Sequence, residues 1–297
     1  MLQVARLAPR LLGESTALVE RFLRGQLNED GGFKGRDGRS DLYYTVFGLE
    51  GLLALRAEFD TGRTRLFLQN YSSLAQLDFV HLCCLSRCWA DVAAFSPDAQ
   101  REARTAQQAV AMRLKDYRSE DGGFQAVAGA PRGSAYAAFL ALGALQDGAA
   151  ELPAPERLKN ALLSLKTPDG AFTNDACVKV GSTNATAAAL AVLCELGACE
   201  DQAAGDWLLA RCLPQGGFLA VPKAPIPDLL STATALHTLA ALQRDFSPLK
   251  EPCLDFLDSL WTNEGGFHGH WSDHLLDCEY TYYGLLALGH LSLAGPG

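Results

Sequence analysis

The chain of 297 residues has no apolar run long enough to cross a bilayer. Its densest stretch, around Ala187 to Leu193, is short and has counterparts elsewhere, as buried helices do. The opening MLQVARLAPRLLGESTALVERFL intersperses arginine with leucine and lacks an apolar core followed by a small-residue cleavage site, so no secretory signal peptide is expected. Positive charge is not in excess either. The 25 basic and 34 acidic side chains leave a formal charge of −9, which argues against a nucleic-acid footprint or a polybasic membrane anchor. Cysteines are present in odd number, nine, at irregular positions from Cys83 to Cys278 and mostly within apolar segments. That pattern does not make a disulfide framework, and reduced, buried thiols in a cytoplasmic protein are the expectation. With 20% charged and 48% hydrophobic residues, the chain can fill a substantial core rather than stay disordered.

What is present is a repeat. A glycine-rich turn ending in phenylalanine recurs as EDGGF to Phe33, EDGGF to Phe124, PDGAF to Phe172, PQGGF to Phe218 and NEGGF to Phe267. The last four phenylalanines are 48, 46 and 49 residues apart, and the first gap of 91 is close to two periods. Six units are expected, one of them without its turn.

Each turn follows a helix of mixed polarity and precedes a richer apolar one. The mixed group covers residues 14–27, 61–74, 99–116, 154–165, 201–211 and 249–260. The apolar group begins near Asp41, Asp78, Arg132, Ser182, Asp228 and Asp277, with leucine or a similar residue every three to four positions. Ser, Thr and Asp at these starts suit helix caps. Alanine on the other faces, as in STNATAAALAVL, suits a helix packed all round. The glycines allow a tight or left-handed backbone, and the phenylalanine is expected to plug the junction. The last apolar helix, TYYGLLALGHL, is as apolar as the middle ones, and closure into a ring would bury it. The expected fold is therefore all-α, an α/α toroid of six helix pairs forming a single domain over residues 1–297. The turnless second unit, LDFVHLCCLSRCWADVAAF, reflects either a shortened loop or a functional opening.

The unit GGFKGRDGRSDLYYTVFGLEGLLAL resembles a repeat of the prenyltransferase β-subunit and squalene (terpene) cyclase superfamily. The likeness runs through GGFQAVAG…SAYAAFLALGAL, GAFTND…STNATAAALAVL and GGFHGH…DCEYTYYGLLALGHL. The cyclases' acid motif DxDD is missing, as are their Q…W motifs and the GCGEQ-type segment of the thioester proteins. From the prenyltransferases the resemblance implies basic residues in the first loop that clamp a diphosphate, here Arg36 and Arg39. It implies a metal aspartate at Asp41, with Tyr43 where those enzymes carry a cysteine, and Tyr44 beside the site. It also implies a metal histidine at His81, in the segment Asp78–His81. A site of Asp41, His81 and Cys84 would supply three ligands for zinc.

A second cluster, His268, His270, His274, Asp277, Cys278 and Glu279, would lie next to the Arg36–Asp41 loop if the ring closes. Within it His268, His270, Asp277 and Cys278 form an alternative metal set. Plain surface histidines are the other reading, as a solvated loop pairing its own arginines with Asp37 and Asp41 is for Arg36 and Arg39. The resemblance implies a prenyltransferase- or terpene-cyclase-like enzyme acting on an isoprenoid diphosphate, with Asp41, Tyr44, His81 and Asp277 at the reacting end and zinc or magnesium as cofactor. Aromatic residues such as Tyr43, Phe47 and Tyr283 would line a central cavity for the apolar chain. The competing expectation is a non-catalytic toroid binding a peptide, a protein or a lipid.

Overall fold

All six inner helices begin on a residue in extended conformation whose side chain accepts a hydrogen bond from the backbone of its own first turn: Asp41, Asp78, Ser134, Ser182, Asp228 and Asp277. These caps satisfy N–H groups that a buried helix start would otherwise leave unpaired. The structure, a computed structural model, describes residues 1–199 and 201–294. Two short helices, α1 (Leu2–Ala5) and α2 (Pro9–Leu12), precede six pairs. These are α3 (Thr16–Gly25) with α4 (Leu42–Ala54), α5 (Gly62–Gln69) with α6 (Phe79–Phe95), and α7 (Gln100–Leu114) with α8 (Ala135–Asp147). They continue with α9 (Pro155–Leu163) and α10 (Thr183–Glu195), α11 (Gln202–Leu209) and α12 (Leu229–Ala241), and α13 (Lys250–Leu260) and α14 (Cys278–Leu291). Among the described residues no strand forms; only isolated bridges close the turns, as Leu27 with Phe33 and Trp261 with Phe267 do.

Each inner helix packs against the inner helices before and after it, and α14 packs against α4, so the ring is closed. The glycine turns show how. The first glycine of each turn has a left-handed backbone, with φ near 93° at Gly31 and 92° at Gly265, and it lies against the start of the following outer helix. A Cβ on Gly31 would fall 2.3 Å from the Arg63 backbone, and one on Gly265 would fall 2.3 Å from Leu18. The second contact joins the last unit to the first. Only glycine permits both the conformation and the approach. The five turn phenylalanines are buried, and in four units the phenylalanine N–H donates to a threonine one turn into the inner helix, as Phe33 does to Thr45 and Phe218 to Thr232.

Two expectations shift. The third inner helix starts at Ala135, not at Arg132, because Gly133 is pressed against the Gly123–Phe124 backbone and Ser134 takes the cap. In the second unit the connection runs only from Asn70 to Asp78, and α6 is the longest inner helix, packing directly on α7. The lost turn is thus a shortened loop. One expectation is overturned: Cys194 and Cys199 form a disulfide, brought together where the chain leaves α10 and turns at Gly197, whose φ is 72°. The other seven cysteines are free, and Cys83, Cys84, Cys88, Cys253 and Cys278 are buried. No helix among the described residues is long and apolar enough to cross a membrane.

Candidate functional site

The caps place every inner-helix N-terminus on one rim of the ring, and closure makes neighbours of the sixth, first and second units there. Arg36, from the first loop, reaches across the closure. Its Nε donates to Asp277 Oδ2 at 2.9 Å and its Nη2 to Asp273 Oδ2 at 2.8 Å, while the guanidinium lies 5.3 Å from the Tyr280 ring centre. Burial outweighs this pairing at Asp277, whose carboxyl sits above its ordinary value. Tyr44 stands beside Arg36, and burial near Asp277 and Glu279 pushes its phenol up to about 12. Arg39 turns the other way: it is exposed and pairs with Asp37. The two arginines are therefore held by different carboxylates and do not form a ready clamp.

Asp41 and His81 do meet. His81 Nε2 is 3.2 Å from Asp41 Oδ2, and its Nδ1 is 2.9 Å from Asp78 Oδ1. Hydrogen bonding to Asp41 and Asp78, against some burial, raises the imidazole to about 9, so it is an imidazolium at neutral pH with both nitrogens donating. Asp41 also caps α4 through the Tyr43 and Tyr44 N–H groups. Against the cost of burial, His81 and these bonds keep its carboxyl low. Cys84 is buried on α6, and Asp41, His81 and Cys84 are not brought together as a group of three ligands. The set therefore lacks the third ligand that a zinc ion needs. His268 faces the Leu275 carbonyl, His270 accepts from the Ser272 N–H, and Cys278 is fully buried. Among the described residues no group of three or more His, Cys, Asp or Glu converges as a cation cage.

The sequence reading left Glu279 without a role of its own. It is the second residue of α14, opposite Tyr43, the second residue of α4. The Tyr43 hydroxyl donates to Glu279 Oε1 at 2.6 Å. A carboxylate at a helix N-terminus is normally favoured in its charged form, but here burial dominates: the Glu279 carboxyl, 9% exposed, is pushed up to about 7. The same burial, with Tyr283 and Glu279 nearby, holds the Tyr43 phenol neutral. A carboxyl balanced near neutrality can both give and take a proton. The signal for it was available, since its place in the sixth unit matches that of Tyr43 in the first.

Below the rim an aromatic wall descends. Tyr43 stacks edge-on with Tyr44 and Phe47, and Phe47 meets Tyr282 and Tyr283 at 5.8 and 5.4 Å. Deeper still, polar groups return. Glu50, Arg87 and His237 stand nine residues past the caps Asp41, Asp78 and Asp228, and hence at one level of the ring. Arg87 lies 3.1 Å from Asp147 and 3.6 Å from Glu50. His237 Nδ1 is 2.9 Å from His290 Nε2, and burial keeps both imidazoles neutral, near 3 and 4. Two surface clefts, of about 550 and 330 Å³, lie on the outer wall beside α7 and the turn after α9, away from all these groups.

The sequence matches the prenyltransferase alpha-alpha toroid domain over residues 9–83, 73–196 and 184–293. No curated protein matches it in sequence. Protein geranylgeranyltransferase-I of Candida albicans, complexed with GGPP, is similar in structure with TM-score 0.68 and 14% identity, covering 93% of this chain and 90% of that one. A type II terpene cyclase from Scytonema, in complex with geranylgeranyl dihydroxybenzoate, is similar with TM-score 0.61 and 16% identity, covering 97% and 98%. An alpha-1,6-mannanase from Salegentibacter is similar as well, with TM-score 0.65 and 12% identity, covering 95% and 99%. At such identities the likeness is one of fold, and the fold hosts sugar chemistry as well as isoprenoid chemistry. The family match spans most of the sequence, and the chain belongs to the prenyltransferase alpha-alpha toroid domain family.

Proposed function

We propose that the protein is an isoprenoid enzyme, of prenyl-transfer or cyclisation type, that holds an isoprenoid diphosphate with its chain along the aromatic wall and its reacting end at the rim. The observation that carries this reading is the sector where α14, α4 and α6 meet. It sets a guanidinium (Arg36), a carboxyl that can take up a proton from its carboxylate form (Glu279) and its phenol partner (Tyr43) above stacked aromatic rings. Family membership and the isoprenoids named in two of the similar structures support it.

In this reading Arg36 exchanges Asp273 and Asp277 for phosphate oxygens, which a planar guanidinium can grip in pairs. A hydroxyl acceptor attacks the allylic carbon. The new carbon–oxygen bond forms as the bond to diphosphate breaks, the electron pair leaves with diphosphate, and the acceptor's proton passes to Glu279. Tyr43 keeps that carboxyl oriented. Asp41 and His81 fix the rim at α4 and α6, a positioning role, since each is engaged with the other. The Asp41–His81–Cys84 set does not fit zinc, and no step is routed through a metal.

The test is binding of geranyl, farnesyl and geranylgeranyl diphosphates to wild type and to an R36A/R39A variant. The reading expects at least tenfold weaker binding in the variant. Equal, weak binding in both would remove the diphosphate role and favour the second reading, a non-catalytic toroid that binds a peptide, a protein or a lipid. One observation favours that second reading: both arginines are paired with carboxylates of the protein itself.

A further inference from the structure

The inside of the ring is polar at two levels with an apolar level between them. At the upper level, second in each helix, stand Tyr43, Tyr136, Asn184 and Glu279, together with Val80 and Leu230. The middle is Phe47, Cys84, Phe139 and Tyr283. At the lower level stand Glu50, Arg87 and His237, with Asp91, Asp147 and His290 one turn beyond. Seven residues separate upper from lower, which in an α-helix is about 10 Å.

Three observations point to the lower level as a place that takes a ligand. First, its groups meet across the ring: Arg87 of α6 faces Glu50 of α4 and Asp147 of α8, and His237 of α12 meets His290 of α14. The short helix α1 packs between α14 and α4 at this end of the ring. Second, Arg87 is only half-buried although it sits in mid-helix, and Gly143 facing it lacks the side chain that would fill the gap. Third, polar atoms there are left over: Asp91 Oδ2, Asp147 Oδ2 and the Tyr282 hydroxyl have no hydrogen-bond partner, and Asp91 and Tyr282 are 3% and 1% exposed. Buried polar atoms without partners are rare in native proteins and mark a missing polar group; a hydroxyl can donate to Asp147 and accept from Tyr282. The charges agree. Arg87 alone stands among Glu50, Asp91 and Asp147. Carboxyl groups outnumber the guanidinium, which favours a neutral hydroxyl or an amine over an anion.

We propose that the ring takes a short isoprenoid that is polar at both ends, with a far-end hydroxyl or amine donating to the Asp147–Glu50–Tyr282 level. This rests on the isoprenoid reading above and specifies its substrate class. About 10 Å of apolar wall is shorter than an extended farnesyl or geranylgeranyl chain, and a longer apolar tail would have to displace or desolvate charged groups. The lower level therefore sets both the length and the chemistry of the tail.

The experiment is a set of binding isotherms, by calorimetry at pH 7.5, for geranyl, ω-hydroxygeranyl, farnesyl and geranylgeranyl diphosphates. Wild type and Asp147→Asn are compared, with circular dichroism melts to show that the variant is folded; Tyr282→Phe serves if it is not. Wild type is expected to bind the ω-hydroxygeranyl ligand about tenfold more tightly than geranyl, the worth of one hydrogen bond to a charged group, and the longer chains more weakly. In the variant the preference for the hydroxyl should fall to about twofold or less. Tighter binding with increasing apolar chain length, or a hydroxyl preference unchanged in the variant, would overturn the inference while leaving the isoprenoid reading in place. Failure of all four ligands to bind would remove both.

Discussion

The rim and the floor of the ring each contain a pair of engaged histidine contacts, and they solve opposite problems. At the rim His81 lies between the carboxylates of Asp41 and Asp78 and is held charged. At the floor His237 and His290 have each other and no carboxylate, and burial holds both neutral. The rim is solved within the protein: Arg36, Arg39, Asp41 and Asp277 all have partners. The floor is not, because Asp91, Asp147 and Tyr282 keep atoms without one. At the rim a ligand has to compete with partners that the protein already supplies, whereas the floor keeps polar atoms for which it supplies none; fold-level resemblance had drawn attention only to the rim.

The largest effect is expected from R87M, which strands Glu50 and Asp147 at the floor. Breaking a buried ion pair on one side costs about 3 kcal/mol, read as the loss in denaturant midpoint. The triple variant E50Q/R87M/D147N should recover much of it, because the cost lies in the orphaned charges. R36A at the rim should cost about 2 kcal/mol, since Asp273 and Asp277 lose their cation but Asp277 remains a helix cap. If R36A proved the more damaging of the two, the contrast between rim and floor would have its direction reversed.

The pH dependence separates the two levels by sign. His237 and His290 have values depressed below 6.5. Their contribution to stability is present above pH 6.5 and is lost as pH falls through about 4 to about 3. His81 is raised, so its contribution is complete below pH 6.5 and is lost as pH rises through about 9. Glu279 is raised from 4.5 to about 7, so its contribution is present below 4.5 and is lost by pH 7 and above. Melting temperatures across pH should show H237Q/H290Q flattening the acid limb, H81Q the alkaline limb and E279Q the stretch between 4.5 and 7. Because His81 is about a third exposed, its limb should be the shallower. An H81Q variant that altered the acid limb alone would show the assignment to be wrong.

The smallest effect is expected from R39A. Its side chain and Asp37 are both exposed, and exposed pairs contribute little, so the melting temperature should stay where it is. A clear loss would mean that Arg39 has a partner at the rim besides Asp37.

How much of this could be read from the sequence follows from the kind of information each part needs. The toroid was legible because a left-handed glycine packed on the next helix recurs with the period, at Gly31, Gly122, Gly170, Gly216 and Gly265. Closure placed the last unit beside the Arg36–Asp41 loop, and the resemblance placed Asp41 near His81, but the partners expected for Arg36 were Asp37 and Asp41, not Asp273 and Asp277. The disulfide between Cys194 and Cys199 did not, because it depends on the turn after α10 and not on composition. Glu279 and the floor were missed for a physical reason. Glu50, Arg87, Asp91 and His237 lie inside otherwise apolar helices, where single charges look like interruptions of a pattern. Counting from each cap would have placed Glu50, Arg87 and His237 at one height.

The most direct test is a crystal structure of the protein with ω-hydroxygeranyl diphosphate. The diphosphate is predicted beside Arg36, the chain against Phe47 and Tyr283, and the hydroxyl within hydrogen-bond distance of Asp147, Glu50 or Tyr282. A ligand bound on the outer wall, with Arg36 still on Asp273 and Asp277 and the floor unchanged, would contradict a binding site inside the ring.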